Sequence, residues 1–340
     1  MKFKPGRRNL IAVLDWGLGH ASRSLALATR LETAGEIVDF ASTGPALLML
    51  KRERPLAKIH PLPAYDVGYQ SSNMVVNIGR QLPGILRTVQ QEHKALAEIL
   101  RQEAYERIIS DSRFGCYARN IDCVMLTHQL HPIFGSPLAA KIYRWFLTRN
   151  FSEFWVPDHP GLPRMSGVLS DSRGYPVVNY IGPLSRLQKP LKIGPELHYD
   201  LVALLSGPEP QRTYLEDIIF QALQTGSGRY LIVAGRPDKV YDQPVVLTKD
   251  GGSIERIAYS NAQQTAAYLT GAKRIICRSG YSTLMDLASL EVEARIILVP
   301  TPGQTEQEYL AKQWSAASSN KIISAPQTSL ATLASLIVAE

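Results

Sequence analysis

The chain has 340 residues, 45% of them hydrophobic and 20% charged, which is too long for one ordinary core and suits two α/β domains of about 150 residues each. No run approaches the roughly 18 apolar residues of a membrane span, and the apolar run Leu10–Leu14, closed by Asp15, is shorter than the roughly 7–15 residues of a signal-peptide core, so it reads as a buried first strand. Residues 1–183 hold 22 Lys+Arg against 15 Asp+Glu and residues 184–340 hold 15 against 15, so the net charge of +7 sits wholly in the first half, a surface suited to a lipid headgroup, an anionic acceptor or nucleic acid, or simply a solvated basic face.

In chain order, Asn9–Leu14 predicts a strand and Ala21–Ala34 a helix, with Leu25, Ala28 and Leu31 at helical spacing. Ile37–Ala41 predicts a second strand, Pro45–Arg52 a short helix, and Arg80–Glu103 a long amphipathic helix. Arg107–Ser110 and Cys123–Thr127 follow as strands. Pro137–Asn150 is a helix candidate whose Ile142, Trp145 and Phe146 stand among Lys141, Arg144 and Arg149, a pattern that fits either a membrane-surface helix or a core helix flanked by charge. Prolines 157, 160, 163, 176, 183 and 190 mark a domain junction.

The alternation then restarts. Strands are predicted at Leu201–Leu205, Tyr230–Ala234, Arg274–Cys277 and Arg295–Pro300, and helices at Tyr214–Leu223, Ala262–Leu269, Thr283–Ser289, Gln307–Ser315 and Thr328–Ala339. Alternating strands and helices imply parallel sheets with crossovers, hence two doubly wound α/β domains, 1–182 and 183–340, facing a central cleft. The last helix, 328–339, is expected to pack back on the first domain. Cys116, Cys123 and Cys277 have neither paired nor metal-like spacing, which points to the cytoplasm.

Ligands in such sheets bind at the carboxyl ends of the strands, and three motifs fall there. The first is Gly17-Leu18-Gly19-His20-Ala21-Ser22-Arg23, after the first strand. Its glycines allow close backbone approach and the following helix aims its amides at a ligand. Ser22 stands where a dinucleotide fingerprint wants glycine, and His20 is a general-base candidate or a polar cap. The second is Arg278-Ser279-Gly280, opening a helix that carries Asp286; it suits a diphosphate, with Arg278 as counter-charge and Asp286 toward ribose hydroxyls. The third is the polar loop Pro300–Tyr309, whose Glu306, Gln307 and Glu308 suit sugar hydroxyls or simply enrich a helix start with acid. Smaller signals at strand ends are Asp111-Ser112-Arg113, His128, Ser206 and Arg186, and Asp111-Ser112-Arg113 lacks the second acid of a metal-binding D-x-D pair.

Together these residues resemble a GT-B glycosyltransferase, in particular the family of the peptidoglycan N-acetylglucosaminyltransferase that forms lipid II and its diacylglycerol-glycosylating cousins. The resemblance implies two Rossmann-like domains. The C-terminal one binds the nucleotide-sugar donor through Ser206, Ser279 and Gly280 at the diphosphate, Asp286 at the ribose, Glu306, Gln307 and Glu308 at the sugar, Asn261 and Ala262 at the base, and Arg186 between domains. The N-terminal one holds the acceptor at Gly17, Gly19, Arg23, Asp111 and His128, with His20 as base.

The expected activity is inverting sugar transfer from a UDP-sugar to a hydroxyl, the sugar being N-acetylglucosamine or another hexose and the acceptor a lipid or cell-envelope glycan. UDP-sugar is a substrate here; no metal and no cofactor are expected, nor a nucleic-acid partner. The expected location is the cytoplasm, peripheral at the inner face of the membrane. The form G-x-G-H-x-x-R is also similar to UDP-sugar hydrolases of nonulosonic acid synthesis, which supplies the alternative of hydrolysis; a non-catalytic nucleotide-sugar binder is the alternative of another class.

Overall fold

The computed structural model describes residues 3–65, 74–133, 136–192, 194–236, 239–318, 321–327 and 335–336. The chain divides into two compact units, Met1–Leu184 and Ser185–Glu340. Most of the expected closing helix, 328–339, lies outside the described residues.

The first unit runs β1 (Arg8–Val13), α1 (Leu18–Thr33), β2 (Ile37–Ser42), α2 (Gly44–Glu53), β3 (Ile59–Pro61), α3 (Met74–Gln102), β4 (Arg107–Asp111), β5 (Asp122–Leu126), α4 (Pro137–Asn150), β6 (Glu153–Val156) and β7 (Val178–Tyr180). Its seven strands lie in the order β3-β2-β1-β4-β5-β6-β7, every described pairing parallel. Successive residues of a strand face opposite sides of a sheet, and both sides here are covered. Ile11 and Val13 pack with Leu25, Leu31 and Leu50 of α1 and α2, whereas Leu10 and Ala12 pack with Leu96, Ile99 and Leu147 of α3 and α4. Burial on two sides explains why β1 reads as an unbroken apolar run rather than an alternating one.

The second unit runs β8 (Leu201–Leu204), α5 (Gln211–Leu223), β9 (Arg229–Val233), β10 (Val245–Leu247), β11 (Ser253–Ile257), α6 (Ala262–Thr270), β12 (Arg274–Cys277), α7 (Tyr281–Leu290), β13 (Arg295–Leu298), α8 (Thr305–Ala317) and β14 (Ile322–Ser324). The order is β10-β11-β9-β8-β12-β13-β14, parallel except for the antiparallel pair β10–β11.

In each sheet the strand order reverses once. The reversal falls between β1 and β4 in the first unit and between β8 and β12 in the second. Helices after strands on either side of a reversal leave in opposite directions, so a crevice opens there at the carboxyl ends of the strands. The glycine-histidine motif follows β1 and the Arg278-Ser279-Gly280 motif follows β12, so each stands at its own unit's reversal.

Candidate functional site

The loop after β1 turns at Gly17, which has φ 85° and ψ 174°, a conformation essentially reserved for glycine. Nothing lies within 4 Å of the place a Cβ would occupy, so the demand is conformational, not steric. Because of this turn α1 begins at Leu18, three residues before the predicted start, and His20 sits inside its first turn. No side chain caps α1, and its first turn contains no acid.

Facing it is Asp111, the last residue of β4, paired in the ladder with Val13. Its buried carboxylate accepts from His20 Nδ1 at 2.8 Å, from Ser24 Oγ at 2.8 Å and from Arg23 Nε at 3.0 Å, and Arg23 Nη2 also reaches Oδ1. Arg23 Nη1 stands 3.1 Å from His128 Nδ1, and Nη2 stands 3.3 Å from Ser112 Oγ and 2.9 Å from His20 Nδ1. Nη2 has two hydrogens, and Asp111 and Ser112 take both. His20 Nδ1 must therefore carry its own proton and donate it to Asp111, which leaves Nε2 as the basic nitrogen. Nε2 has no hydrogen-bond partner among the described residues, and the His20 side chain is 20% exposed.

Electrostatics agree with that tautomer. Burial and the Arg23 charge hold the His20 imidazole below its ordinary value despite Asp111, so it is neutral at pH 7. Burial pushes the Asp111 carboxyl up, but Arg23 and His20 outweigh it and hold the group well below the usual carboxylate range.

Behind this cluster lies a second network that sequence reasoning missed. The buried Arg113 guanidinium donates to Val13 O at 2.9 Å, Pro63 O at 2.6 Å, Glu92 Oε1 at 2.9 Å and Asp15 Oδ1 at 3.1 Å. Glu92 also accepts from Tyr65 Oη at 2.6 Å and Gly115 N at 2.9 Å. Arg113 thus ties the loop that leads into Gly17 to α3 and to the loop after β3. The only local signal was the run Asp-Ser-Arg at a strand end; Glu92 comes from a helix that no short-range pattern connects to it.

In the second unit α7 begins at Tyr281 with Gly280 at its N-cap, again without a side-chain cap, and no atom lies within 4 Å of a Cβ built at Gly280. Its first amides and the loop after β8, where Ser206 is half-buried, stand at neighbouring strand ends. Asp286, in the second turn of α7, accepts from Ser185 Oγ at 2.6 Å. Burial pushes its carboxyl up to about 6, against the opposing effects of Ser185 and the Arg186 charge. Ser185 was not among the expected site residues.

Three expectations need correction in geometry. Arg278 was expected at the diphosphate, but it is buried: Nη1 donates to Val299 O at 3.1 Å and Pro300 O at 3.2 Å, and Nη2 to Gln211 O at 2.6 Å. Its two terminal nitrogens hold the segment after β13 and the start of α5 to the end of β12, and burial pushes its pKa down to about 10. Gln307 was expected toward a sugar, but its amide is turned inward, accepting from Thr301 N at 2.8 Å and donating to Gln304. The Ser279 hydroxyl donates to Gln307 O at 2.7 Å, which leaves only its lone pairs and the backbone for a ligand.

The remaining placements are simpler. Asn261 caps α6 in a reciprocal box with Gln264, with Ala262 as the first helical residue. Glu308 is exposed and accepts from Gly303 N at 3.2 Å, and Glu306 beside it is half-buried. Gly19 lies in the first turn of α1. Among the described residues no group of three or more His, Cys, Asp or Glu side chains is placed to hold a metal ion.

Residues 221–339 match the glycosyltransferase family 28 C-terminal domain. The whole chain is similar in structure to MurG of Acinetobacter baumannii, with TM-score 0.56, 15% identity, and 98% of this chain and 89% of that one covered. It is also similar to the glycosyltransferase SnogD from Streptomyces nogalater, with TM-score 0.63, 13% identity and coverage of 99% and 91%. A third match is Arabidopsis thaliana UGT89C1 complexed with UDP-L-rhamnose, with TM-score 0.60, 13% identity and coverage of 99% and 90%. No curated protein matches the chain in sequence. The chain has the GT-B fold, and residues 221–339 of its C-terminal unit resemble the C-terminal domain of family 28 glycosyltransferases.

Proposed function

We propose that the protein is an inverting glycosyltransferase that moves a hexose from a UDP-sugar to an acceptor hydroxyl without a metal ion. The observation that carries this reading is the pairing of His20 Nδ1 with the buried Asp111, on a side chain that stays partly exposed. A buried carboxylate that fixes the tautomer and orientation of an imidazole is the arrangement a general base needs. In this reading His20 Nε2 takes the proton of the acceptor hydroxyl as its oxygen attacks the anomeric carbon from the side opposite the nucleotide. The bond from the anomeric carbon to the diphosphate breaks, and the proton remains on the imidazole, stabilised by Asp111.

The departing UDP gains negative charge, and the uncapped N-terminus of α7 offers backbone amides and a dipole to meet it. In this reading Arg278 contributes by holding the adjoining loops, Ser206, Asp286, Glu306 and Glu308 are the donor contacts, and Asn261, Ala262 and Arg186 serve the base and ribose.

The choice of acceptor is supported by α4. Its Tyr143, Phe146 and Leu147 pack on the first unit's core, while Leu138, Ile142 and Trp145 are 66%, 57% and 58% exposed. These three recur at helical spacing, and Lys141, Arg144 and Arg149 beside them are exposed as well. An apolar stripe bordered by cations suits an anionic membrane surface, and hence a lipid or cell-envelope acceptor at the inner face. No described helix is long and apolar enough to cross a membrane.

The test is product analysis. Purified protein is incubated with UDP-hexoses, with and without membrane-lipid extract and with and without EDTA. Transfer predicts a glycosylated lipid, UDP release that depends on the extract, and no effect of EDTA. Equal release of UDP and free sugar without acceptor would replace transfer by hydrolysis, a reading that the run from Gly17 to Arg23 also favours. No turnover and no binding of any UDP-sugar would end both.

A further inference from the structure

Arg23 is buried within α1 and reaches three partners that are distant in sequence. Its Nε and Nη2 bond Asp111, its Nη1 meets His128 Nδ1, and its Nη2 lies against His20 and Ser112. The groups that face His20 from the surrounding elements are Arg23 and Ser24 of α1, Asp111 and Ser112 at the end of β4, and His128 after β5. Asp15, from the β1 loop, adds a weaker interaction and is itself held by Arg113 at 3.1 Å. Counting charges, Asp111 and Arg23 cancel, so the cluster is neutral only when both imidazoles are neutral. A proton on either would leave an uncompensated positive charge in a buried site. Without Arg23, the same count would favour an ion pair between Asp111 and a protonated His20.

We propose that Arg23 is the positioning residue that keeps His20 unprotonated, by setting its fixed positive charge directly against the imidazole and by occupying the negative charge of Asp111 that an imidazolium would otherwise claim. An ordinary Asp–His pair tends to raise the pKa of the imidazole. Here the arginine satisfies the carboxylate first. Asp111 still orients the ring through Nδ1 and still favours an imidazolium formed during reaction, but with Arg23 beside it this is not enough to hold a proton on the resting ring. The acceptor-side base therefore stays competent into mildly acidic conditions. The use of this device rests on His20 acting as the base; its existence does not, and the experiment separates the two.

The experiment follows the histidine ring nitrogens of the full chain, labelled with nitrogen-15, by long-range proton–nitrogen NMR between pH 4.5 and 8.5; His20→Gln assigns the His20 signals. Wild type is expected to show the Nδ1–H tautomer, with a midpoint below the ordinary value of about 6.5. Arg23→Gln is expected to raise the midpoint by about one pH unit or more, on the order expected from removing a nearby charge, and Arg23→Lys to keep it low. Arg23→Gln leaves Asp111 buried without its partner and can unfold the chain. A second comparison avoids this: Asp111→Asn against Asp111→Asn/Arg23→Gln, where no unpaired buried carboxylate remains. The double variant is expected to titrate higher than the single one. Equal midpoints in that comparison, or a wild-type His20 that is protonated at pH 7, would overturn the proposal whatever the protein's reaction proves to be.

Discussion

At the scale of single residues, His20→Ala should lower kcat by about 10²–10⁴-fold if Nε2 removes the acceptor proton, with an unchanged circular dichroism spectrum. Asp111→Asn keeps an acceptor atom but removes the charge that would stabilise an imidazolium in the transition state, so a loss of at least about 10²-fold is expected from steady-state rates. Asp286 makes a different prediction, because its folded pKa, raised to about 6, lies above its unfolded value. The folded state then binds the proton more tightly, so this group favours folding below its unfolded pKa. That contribution is lost as pH rises toward 6. Binding to ribose runs the opposite way, since the ionised form accepts two hydroxyls. The affinity for a UDP-sugar, measured by calorimetry, should fall as pH drops from 7 to 5, and Asp286→Asn should abolish the dependence.

Of the first cluster, Ser24, inside α1, was not visible, whereas His20, Arg23, Asp111, Ser112 and His128 were each visible in motifs that follow apolar runs. Their contact was not, since Asp111 stands 91 positions from His20 and is brought there by the strand order. Arg278 shows the opposite limit: a cation beside a phosphate-type turn has the right chemistry, yet sequence does not say which way its side chain points.

At the scale of elements, Gly17→Ala should lower the melting temperature measured by calorimetry. The residue must leave a conformation that costs a side chain about 1–3 kcal/mol, and relaxing it would also displace His20. The two faces of α4 separate stability from surface chemistry. Leu147→Ala, deep in the core, should cost about 2–5 kcal/mol in urea unfolding. Trp145→Ala should leave the melting temperature nearly unchanged but weaken flotation with anionic vesicles. Unchanged flotation would remove the membrane reading without touching the donor site.

The buried parallel strands β1, β2, β4, β5, β8, β9, β12 and β13 were legible because burial on two sides makes them continuous apolar runs, whereas β6, four residues opening on Glu153, and β11, with Ser253, Glu255 and Arg256 among its five, give no such run and were missed. The three-residue strands β3, β7, β10 and β14 are too short for any periodicity and are defined by pairing alone. Helix starts were placed late at α1, α5 and α7, where the N-cap positions are Gly17, Pro210 and Gly280 and no side-chain cap announces the turn.

For the molecule as a whole, the same plan is used twice: a sheet whose strand order reverses once, with the candidate residues at the reversal. If the second unit alone grips the nucleotide, hydrogen exchange of the full chain with a UDP-sugar should gain protection around residues 206–212, 278–286 and 301–308. The loop around Gly17 should respond less until an acceptor is present. Protection confined to the first unit would contradict the assignment of donor and acceptor roles. The fold class was readable from the alternation of strands and helices, because each crossover must lie beside its strands. The identity of the sugar was not readable, since Gln307, the residue best suited to choose it, turns inward for a reason that lies in Thr301 and Gln304.

The inward guanidinium of Arg278 has a bearing on how this protein can change. One side chain clasps the start of α5 and the segment after β13, while its neighbour Ser279 fastens to α8. Segments stapled in this way cannot drift separately. Grafting a sugar-recognition loop from a relative into this chain should fail when done alone and succeed only when the clasped pieces are exchanged as a set, so new donor preferences would be acquired in blocks rather than by single steps.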